Sequence, residues 1–234
     1  MDEIPVARRS KAHIGALRNL SAGFKIFLFV LFASISSLLF VQRLLPDLFG
    51  TSSLEVTKTS SELDGRLLGH FPYPEASSLE LVNVSSGIQL HVDAAEAYNS
   101  MIEAARQDEV DLRLLSGYRS HQLQEEIFFD IKSERNQTAR ERAKVSAPPG
   151  YSEHSTGYAI DLGDGTRPET HFRENFQSTK AFRWLEANAA RYHFVLSFPP
   201  QNSQGVTYEP WHWRYEGTAE ALRKFEASRQ FSQR

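Results

Sequence analysis

The hydrophobic pattern of the chain begins with one long apolar run, FKIFLFVLFASISSLLFV, at residues 24–41. Its only charged residue, Lys25, lies close enough to one end for its ammonium group to reach the membrane interface. As a helix rising about 1.5 Å per residue, the run would extend about 27 Å, close to the ~30 Å hydrocarbon thickness of a bilayer. The run is apolar all round, which disfavours a buried core helix. The pattern therefore predicts one transmembrane helix at residues 24–41.

The charges around this run predict its orientation. Four basic residues precede it and only Arg43 follows closely, so the positive-inside rule places residues 1–23 in the cytoplasm and the rest of the chain outside. A cleaved signal peptide has a similar pattern. However, the small-x-small candidate Ser34-Ile35-Ser36 is followed by further apolar residues, which favours a retained anchor. We expect a single-pass protein of the cytoplasmic membrane, with its domain on the periplasmic or cell-wall side.

The chain after this run divides into three parts. Residues 42–68 include TSSLEVTKTSS, which is polar, rich in Ser and Thr and short of helical or strand periodicity, and this predicts a linker. Residues 69–228 carry the patterns of one folded domain, and residues 229–234 are expected to be a short tail. A length of 234 residues allows one core of ordinary size and argues against two large domains.

Helical and strand patterns are interspersed within the domain. Helices are predicted at 94–107 with Asp93 as the cap, after Ser120, at 182–192 and at 217–228. Strands are predicted at 112–115, 158–162, 193–198 and 211–215. Because the spacing is too irregular for repeated βαβ units, we expect an α+β fold with a small antiparallel sheet flanked by helices.

Composition narrows the chemistry. The chain has no cysteine, which excludes disulfides, thiolate zinc sites and cysteine nucleophiles. A net charge of -3, from 26 basic and 29 acidic residues, gives no basic excess, so no nucleic-acid partner is expected. Any bound metal must therefore use imidazole and carboxylate ligands, which suit catalytic zinc.

Two segments supply such ligands. His154 precedes Asp161 by seven residues, and His212 follows Glu209 by three. Pro210 argues against a helix interior here, so this is not the helical His-Glu-x-x-His arrangement. We expect His154, Asp161 and His212 to bind one Zn²⁺ ion, leaving a fourth position for water, whose pKa falls towards about 7. Glu209, outside the ligand set, is the expected general base.

The same residues carry a family resemblance. Four pieces occur in family order: Ser116–Ser120 (SGYRS) with Gln124 after it, Ser152–Asp161 (SxHxxGxAxD), Phe194–Pro199 (FVLSFP) and Glu209–Tyr215 (EPWHWRY). Over roughly residues 69–225 the domain thus resembles the VanY-type D-alanyl-D-alanine carboxypeptidases. These are zinc peptidases of bacterial cell-wall peptides, related to the L,D-carboxypeptidases. The resemblance does not cover the predicted anchor or linker.

The resemblance implies an activity and a set of roles. It implies a D,D-carboxypeptidase that removes the terminal D-alanine from peptidoglycan stem peptides or precursors by metal-hydroxide attack, and the apolar run at residues 24–41 predicts that this enzyme is membrane-anchored. It assigns the same zinc ligands and the same base, Glu209, and it makes Arg119 the residue that stabilises the polarised carbonyl. It also places Ser152 and Gln124 in contact with the terminal portion of the substrate. From the residues alone, an ion pair with a helix glutamate is equally compatible with Arg119.

Two positions depart from the family pattern. His193 stands where a glycine is expected and is interpreted as a packing or surface residue rather than a fourth ligand. Phe198 stands where a tyrosine is frequent and cannot donate a hydroxyl hydrogen bond. Specificity is therefore open, and an L,D-carboxypeptidase or a peptidoglycan endopeptidase with the same zinc centre are alternatives. A non-catalytic cell-wall binding module is disfavoured because the base, the arginine and all three ligands are present.

Overall fold

The computed structural model of the protein describes residues 65–233. Three predicted segments lie wholly or largely outside them: the tail 1–23, the anchor 24–41 and most of the linker, residues 42–64. Within residues 65–233, none of the helices combines the length and apolar character that crossing a bilayer requires.

The described residues form α-helices, strands and short 3-10 helices. The α-helices are α1 Val92–Gln107, α2 His121–Glu134, α3 Ala139–Ala143, α4 Lys180–Asn188, α5 Ala219–Lys224 and α6 Glu226–Ser232. The strands are β1 Leu81–Ser85, β2 Ile88–His91, β3 Leu112–Ser116, β4 Ala159–Asp164, β5 Phe194–Leu196 and β6 His212–Tyr215. The 3-10 helices are Ser78–Glu80, Glu153–Thr156, Pro168–Thr170, Glu174–Ser178 and Ala189–Tyr192.

One four-stranded sheet organises the domain. Its strands lie in the order β3-β4-β6-β5, and each neighbouring pair is antiparallel. Strands β1 and β2 form a separate antiparallel hairpin, which packs with β3 against α1. All six residues of β4 are buried, and α4 packs against that strand. The prediction of an α+β fold with small antiparallel sheets is confirmed.

Helix α1 shows how the sequence pattern becomes packing. Its buried residues recur every three or four positions and place one apolar face on the core: Ala94, Ala95, Tyr98, Met101 and Ala105. The predicted cap, Asp93, is wrong. The N-cap is His91, whose Nδ1 accepts a hydrogen bond from the backbone N–H of Asp93 at 3.3 Å, because the helix begins directly where β2 ends. The Asp93 carboxylate lies in the first turn, where it favours the helix dipole.

The predicted elements differ from the structure mainly at their ends. The helix predicted at 217–228 is divided into α5 and α6 at Phe225, whose buried ring packs edge-on against Tyr73 and Tyr158. The strand predicted at 193–198 is limited to β5. Helix α6 continues through most of the predicted tail. The hairpin and α3 were not predicted.

Gly117 directly follows β3 and packs closely against β2 of the hairpin. A Cβ atom at Gly117 would lie 2.5 Å from the backbone oxygen of Gln89 in β2 and 2.8 Å from side-chain atoms of Ile88 and Leu90. We therefore expect Gly117→Ala to lower the free energy of unfolding by about 1–3 kcal/mol, measured by urea denaturation.

The matched control is Gly87→Ala at the hairpin turn. Gly87 has a φ of +74° but no neighbour within 4 Å, so only backbone strain of about 1 kcal/mol is expected there. A Gly117→Ala variant as stable as the wild-type protein would contradict the packing described.

Candidate zinc centre and active site

The three predicted metal ligands meet where the central strands pair. His154 lies in the turn Glu153–Thr156, Asp161 in β4 and His212 at the start of β6. Asp161 pairs with His212 in the antiparallel register, and Gly157, with a φ of 73°, ends the turn and lets the chain enter β4. All three side chains are buried.

The ligand atoms of these residues converge on one point. The distances are 3.2 Å from His154 Nε2 to Asp161 Oδ2, 3.2 Å from His212 Nδ1 to Asp161 Oδ1, and 3.2 Å between the two imidazole nitrogens. A tetrahedral zinc ion with bonds of roughly 2.0–2.1 Å holds neighbouring ligand atoms about 3.3 Å apart. The residues present therefore fit a zinc ion in both chemistry and spacing.

Hydrogen bonds orient both imidazole rings. Nδ1 of His154 lies 2.7 Å from the Gly117 carbonyl oxygen, and Nε2 of His212 lies 3.0 Å from a carboxylate oxygen of Glu153. Since these oxygens only accept, the two ring nitrogens carry the protons and donate. His154 Nε2 and His212 Nδ1 are left as the nitrogens that face the convergence point.

Negative charge is concentrated around the rings. Burial opposes ionisation of Asp161, but His154 and His212 outweigh it and hold the pKa of Asp161 below its usual range. Burial also opposes a charged His212, yet the carboxylates of Asp161 and Glu153 raise its pKa to about 10. The pKa of His154 falls to about 4 because of burial and the nearby Arg119. The same carboxylates that stabilise a proton here also favour a divalent cation.

Glu153 is a site residue that sequence reasoning missed. Its side chain is buried, and one carboxylate oxygen accepts hydrogen bonds from His212 and from the Ser197 hydroxyl at 2.6 Å. The other oxygen accepts a hydrogen bond from Arg214 Nη1 at 2.8 Å. Burial raises the pKa of Glu153, but Arg214 and His212 lower it more, so that it stays below its usual range. Glu153 thus remains an anion that fixes the His212 ring.

A sequence signal for this role existed in β6. His212 and Arg214 are two residues apart and so share one face of the strand, whereas Trp213 and Tyr215 share the other. Two cationic or ionisable groups on one face of a buried strand require a carboxylate partner. Glu153, adjacent to His154 in the sequence, is that partner.

Glu209 lies beside the convergence point without occupying a ligand position of its own. Its Oε2 is 3.9 Å from His212 Nδ1, and its side chain is 12% exposed. The backbone fixes it, since the Glu209 N–H donates to Phe198 O and its carbonyl accepts from the His212 N–H. Burial raises the pKa of Glu209 to about 7, an effect that His212 partly opposes and Asp161 reinforces. A carboxylate with such a pKa can accept and return a proton near neutral pH.

Arg119, Gln124 and Ser152 lie around the same centre. Nη2 of Arg119 is 3.6 Å from Asp161 Oδ2, and its Nη1 donates to Gln124 Oε1 at 3.2 Å. Gln124 is buried at the base of α2, and its Nε2 donates to Ser146 Oγ and to the Ala147 carbonyl oxygen. Ser152 is buried at the start of the turn that carries His154. The structure brings all seven predicted site residues together.

These residues line a cleft of about 650 Å³. Phe198 is buried in its wall, with its ring centroid 5.0 Å from that of His212. His193 is exposed and has a φ of 61°, the left-handed conformation that explains why a glycine was expected there. The expectation that His193 is not a ligand agrees with this position.

Several solved structures share the fold of this chain. LdcB, an LD-carboxypeptidase, superposes with a TM-score of 0.56 at 29% identity over 70% of this chain and 80% of its own. VanYB in complex with D-alanine-D-alanine gives 0.53 at 30% identity over 68% and 88%. A VanY D,D-pentapeptidase variant in complex with Zn(II) gives 0.52 at 28% identity over 67% and 89%.

Sequence comparison points the same way. The D-alanyl-D-alanine carboxypeptidase of Enterococcus faecalis (strain ATCC 700802 / V583) is 32% identical over 162 residues, which cover 65% of this chain and 58% of that protein. The chain spans about half the length of the curated relatives it matches. The VanY family model, described as D-alanyl-D-alanine carboxypeptidase, matches residues 87–218, more than half of the chain. With this match, the shared fold and the motifs in place, the chain belongs to the VanY family.

Proposed function

We propose that the protein is a zinc-dependent D,D-carboxypeptidase that removes the terminal D-alanine from peptidoglycan peptides. The observation that carries this proposal is the convergence of His154 Nε2, Asp161 and His212 Nδ1 on one point, with Glu209 and Arg119 beside it in the cleft. The D-Ala-D-Ala bound to VanYB and the name of the E. faecalis relative support the substrate class. A binding module without turnover would have no need of a base with a pKa of about 7.

Each site residue has a separate role in the proposed reaction. His154, Asp161 and His212 would hold the zinc ion, which would supply Lewis-acid chemistry at the scissile carbonyl and the attacking water. Glu209 takes a proton from the attacking water and returns it to the amine of the departing D-alanine. Arg119 directs positive charge to the oxygen on which negative charge develops. Glu153 keeps His212 in the orientation that presents Nδ1.

Replacing Glu209 tests the assignment of the base. In Glu209→Gln we expect D-alanine release from a peptide ending in D-Ala-D-Ala to fall about 10²- to 10⁴-fold, while one zinc ion per chain is retained because the residue is not a ligand. Chelation should abolish release by the wild-type protein, and added zinc should restore it. Glu125→Gln, which removes an exposed carboxylate of α2, is the control with unchanged activity. Zinc-loaded wild-type protein that releases nothing would overturn the proposed function.

The same assay separates the alternative cleavages. A peptide ending in an L-residue followed by D-alanine reports L,D-carboxypeptidase activity, the activity of the structural neighbour LdcB. Mass spectrometry of longer peptides reports an internal cut. We expect cleavage mainly at the D-Ala-D-Ala bond, and a preference for either other bond would replace the D,D assignment.

The role of Glu153 is testable through zinc affinity. Glu153→Gln removes the charge that orients His212, so we expect zinc to bind about 10- to 100-fold more weakly in a competitive chelator titration. The matched control is Glu216→Gln, since Glu216 pairs with the same Arg214 but makes no contact with His212 among the described residues. Equal losses in the two variants would show that Glu153 acts only through Arg214.

We also propose that residues 24–41 retain the protein in the cytoplasmic membrane, with the catalytic domain outside. The apolar run and the basic residues before it support this location. Alkaline phosphatase fused to the C-terminus of the full chain should be active and should sediment with membranes. An inactive membrane-bound fusion contradicts the orientation, and an active fusion released from the membrane indicates cleavage instead.

A further inference from the structure

Arg142 is a buried cation of the cleft that has no partner among residues 65–233. It lies on α3, is 6% exposed and contributes to the cleft lining. Its Nε is buried without a hydrogen-bond partner, and among residues 65–233 its guanidinium makes neither a hydrogen bond nor an ion pair. A buried N–H group without a partner is costly, and the Nη atoms are not among the fully buried atoms, so a guanidinium held in this way indicates a site for an anion in the cleft.

The backbone around Arg142 is held in place from several directions. We call residues 139–147 the α3 wall of the cleft. His70 Nε2 donates a hydrogen bond to the Ala143 carbonyl oxygen at 2.7 Å, and the Thr207 N–H donates to the Lys144 carbonyl oxygen at 2.8 Å. Gln124 Nε2 holds the Ala147 carbonyl oxygen at 2.7 Å. The backbone that carries Arg142 is therefore held in place before a ligand binds.

The charges near Arg142 are mainly positive. Burial lowers its pKa, and repulsion by Arg135 and Arg119 lowers it further, while Glu209 opposes both effects. Arg119 is already directed towards Asp161 and Gln124. Arg135 also lines the cleft but is exposed, so among the described residues Arg142 is the buried guanidinium of the cleft that remains available to a carboxylate, whose planar geometry matches its N–H groups.

The residues assigned to the terminal portion of the substrate do not supply this charge. Both ends of the Gln124 amide are occupied by protein groups, Arg119 on one side and the α3 wall on the other. Ser152 is neutral. A terminal carboxylate that enters the cleft loses water and needs a cation to replace it.

We propose that Arg142 binds the terminal carboxylate of the peptide substrate and so restricts the enzyme to cleavage at the chain end. The inference rests on the proposed function, because the terminal carboxylate is the one anion that every carboxypeptidase substrate carries. That carboxylate lies a single residue beyond the scissile bond, about 3.8 Å in chain length, and so within the same cleft as Glu209.

The test compares two peptides that differ only at the terminus. One is an acetylated peptide ending in D-Ala-D-Ala as the free acid, and the other is the same peptide as a C-terminal amide. We expect wild-type kcat/KM to be about 10- to 100-fold higher for the acid, and Arg142→Gln to lose this preference by slowing the acid alone. Arg140→Gln, which removes an exposed arginine of the same helix, should keep it.

The outcomes decide the inference separately from the proposed function. Equal cleavage of acid and amide by the wild-type protein overturns it, even if Arg142→Gln does not fold. Equal slowing of both peptides by Arg142→Gln indicates a structural role and also overturns it. If no peptide is cleaved, the proposed function fails. Calorimetry with N-acetyl-D-alanine and its amide then still tests whether Arg142 binds a carboxylate. Tighter binding of the acid by zinc-loaded wild-type protein, lost in Arg142→Gln, supports a carboxylate site, and equal binding excludes it.

Discussion

Where β4 pairs with β6, Asp161 stands opposite His212, and the distances of the metal centre follow from that pairing. Residues opposite each other in antiparallel strands have their Cβ atoms about 4.5–5.5 Å apart, close enough for a carboxylate and an imidazole to share one ion. The third ligand then needs only a short turn, which Gly157 closes before the chain enters β4. A slip of one residue would send His212 to the opposite face of the sheet.

The buried charges around this pairing alternate in sign. Arg214 contacts Glu153, Glu153 contacts His212, and His212 contacts Asp161, so each charged or ionisable group has a partner of the opposite kind. The cost of burying these ions stays low only while every member of the series is present. Removing one member leaves the charge of its neighbour buried and uncompensated. The positions of the metal ligands therefore depend on Glu153 and Arg214, which are not themselves ligands.

The metal centre could be predicted from the sequence because its ligands are chemically distinctive. His154, Asp161, His212 and Glu209 stand in short segments whose order and spacing carry the family resemblance, and α1 and α2 follow from helical periodicity. The hairpin was missed because only its last two residues are fully buried, so its alternation is weak.

The environment of Arg142 could not be predicted for a different reason. A missing partner depends on which carboxylates lie elsewhere, and that is a property of the fold rather than of any local pattern. Likewise, the cap at His91 depends on where β2 ends, which periodicity alone locates only to within a few residues.

The hydrogen bonds of Gln124 order side chains of the cleft before any ligand binds. Its one amide connects Arg119 on one side of the cleft to the α3 wall on the other. These side chains are then ordered while the protein folds, and the conformational entropy of ordering them is lost at that stage. A ligand entering the cleft would meet preorganised side chains, so more of its interaction free energy would remain for affinity and for its own orientation.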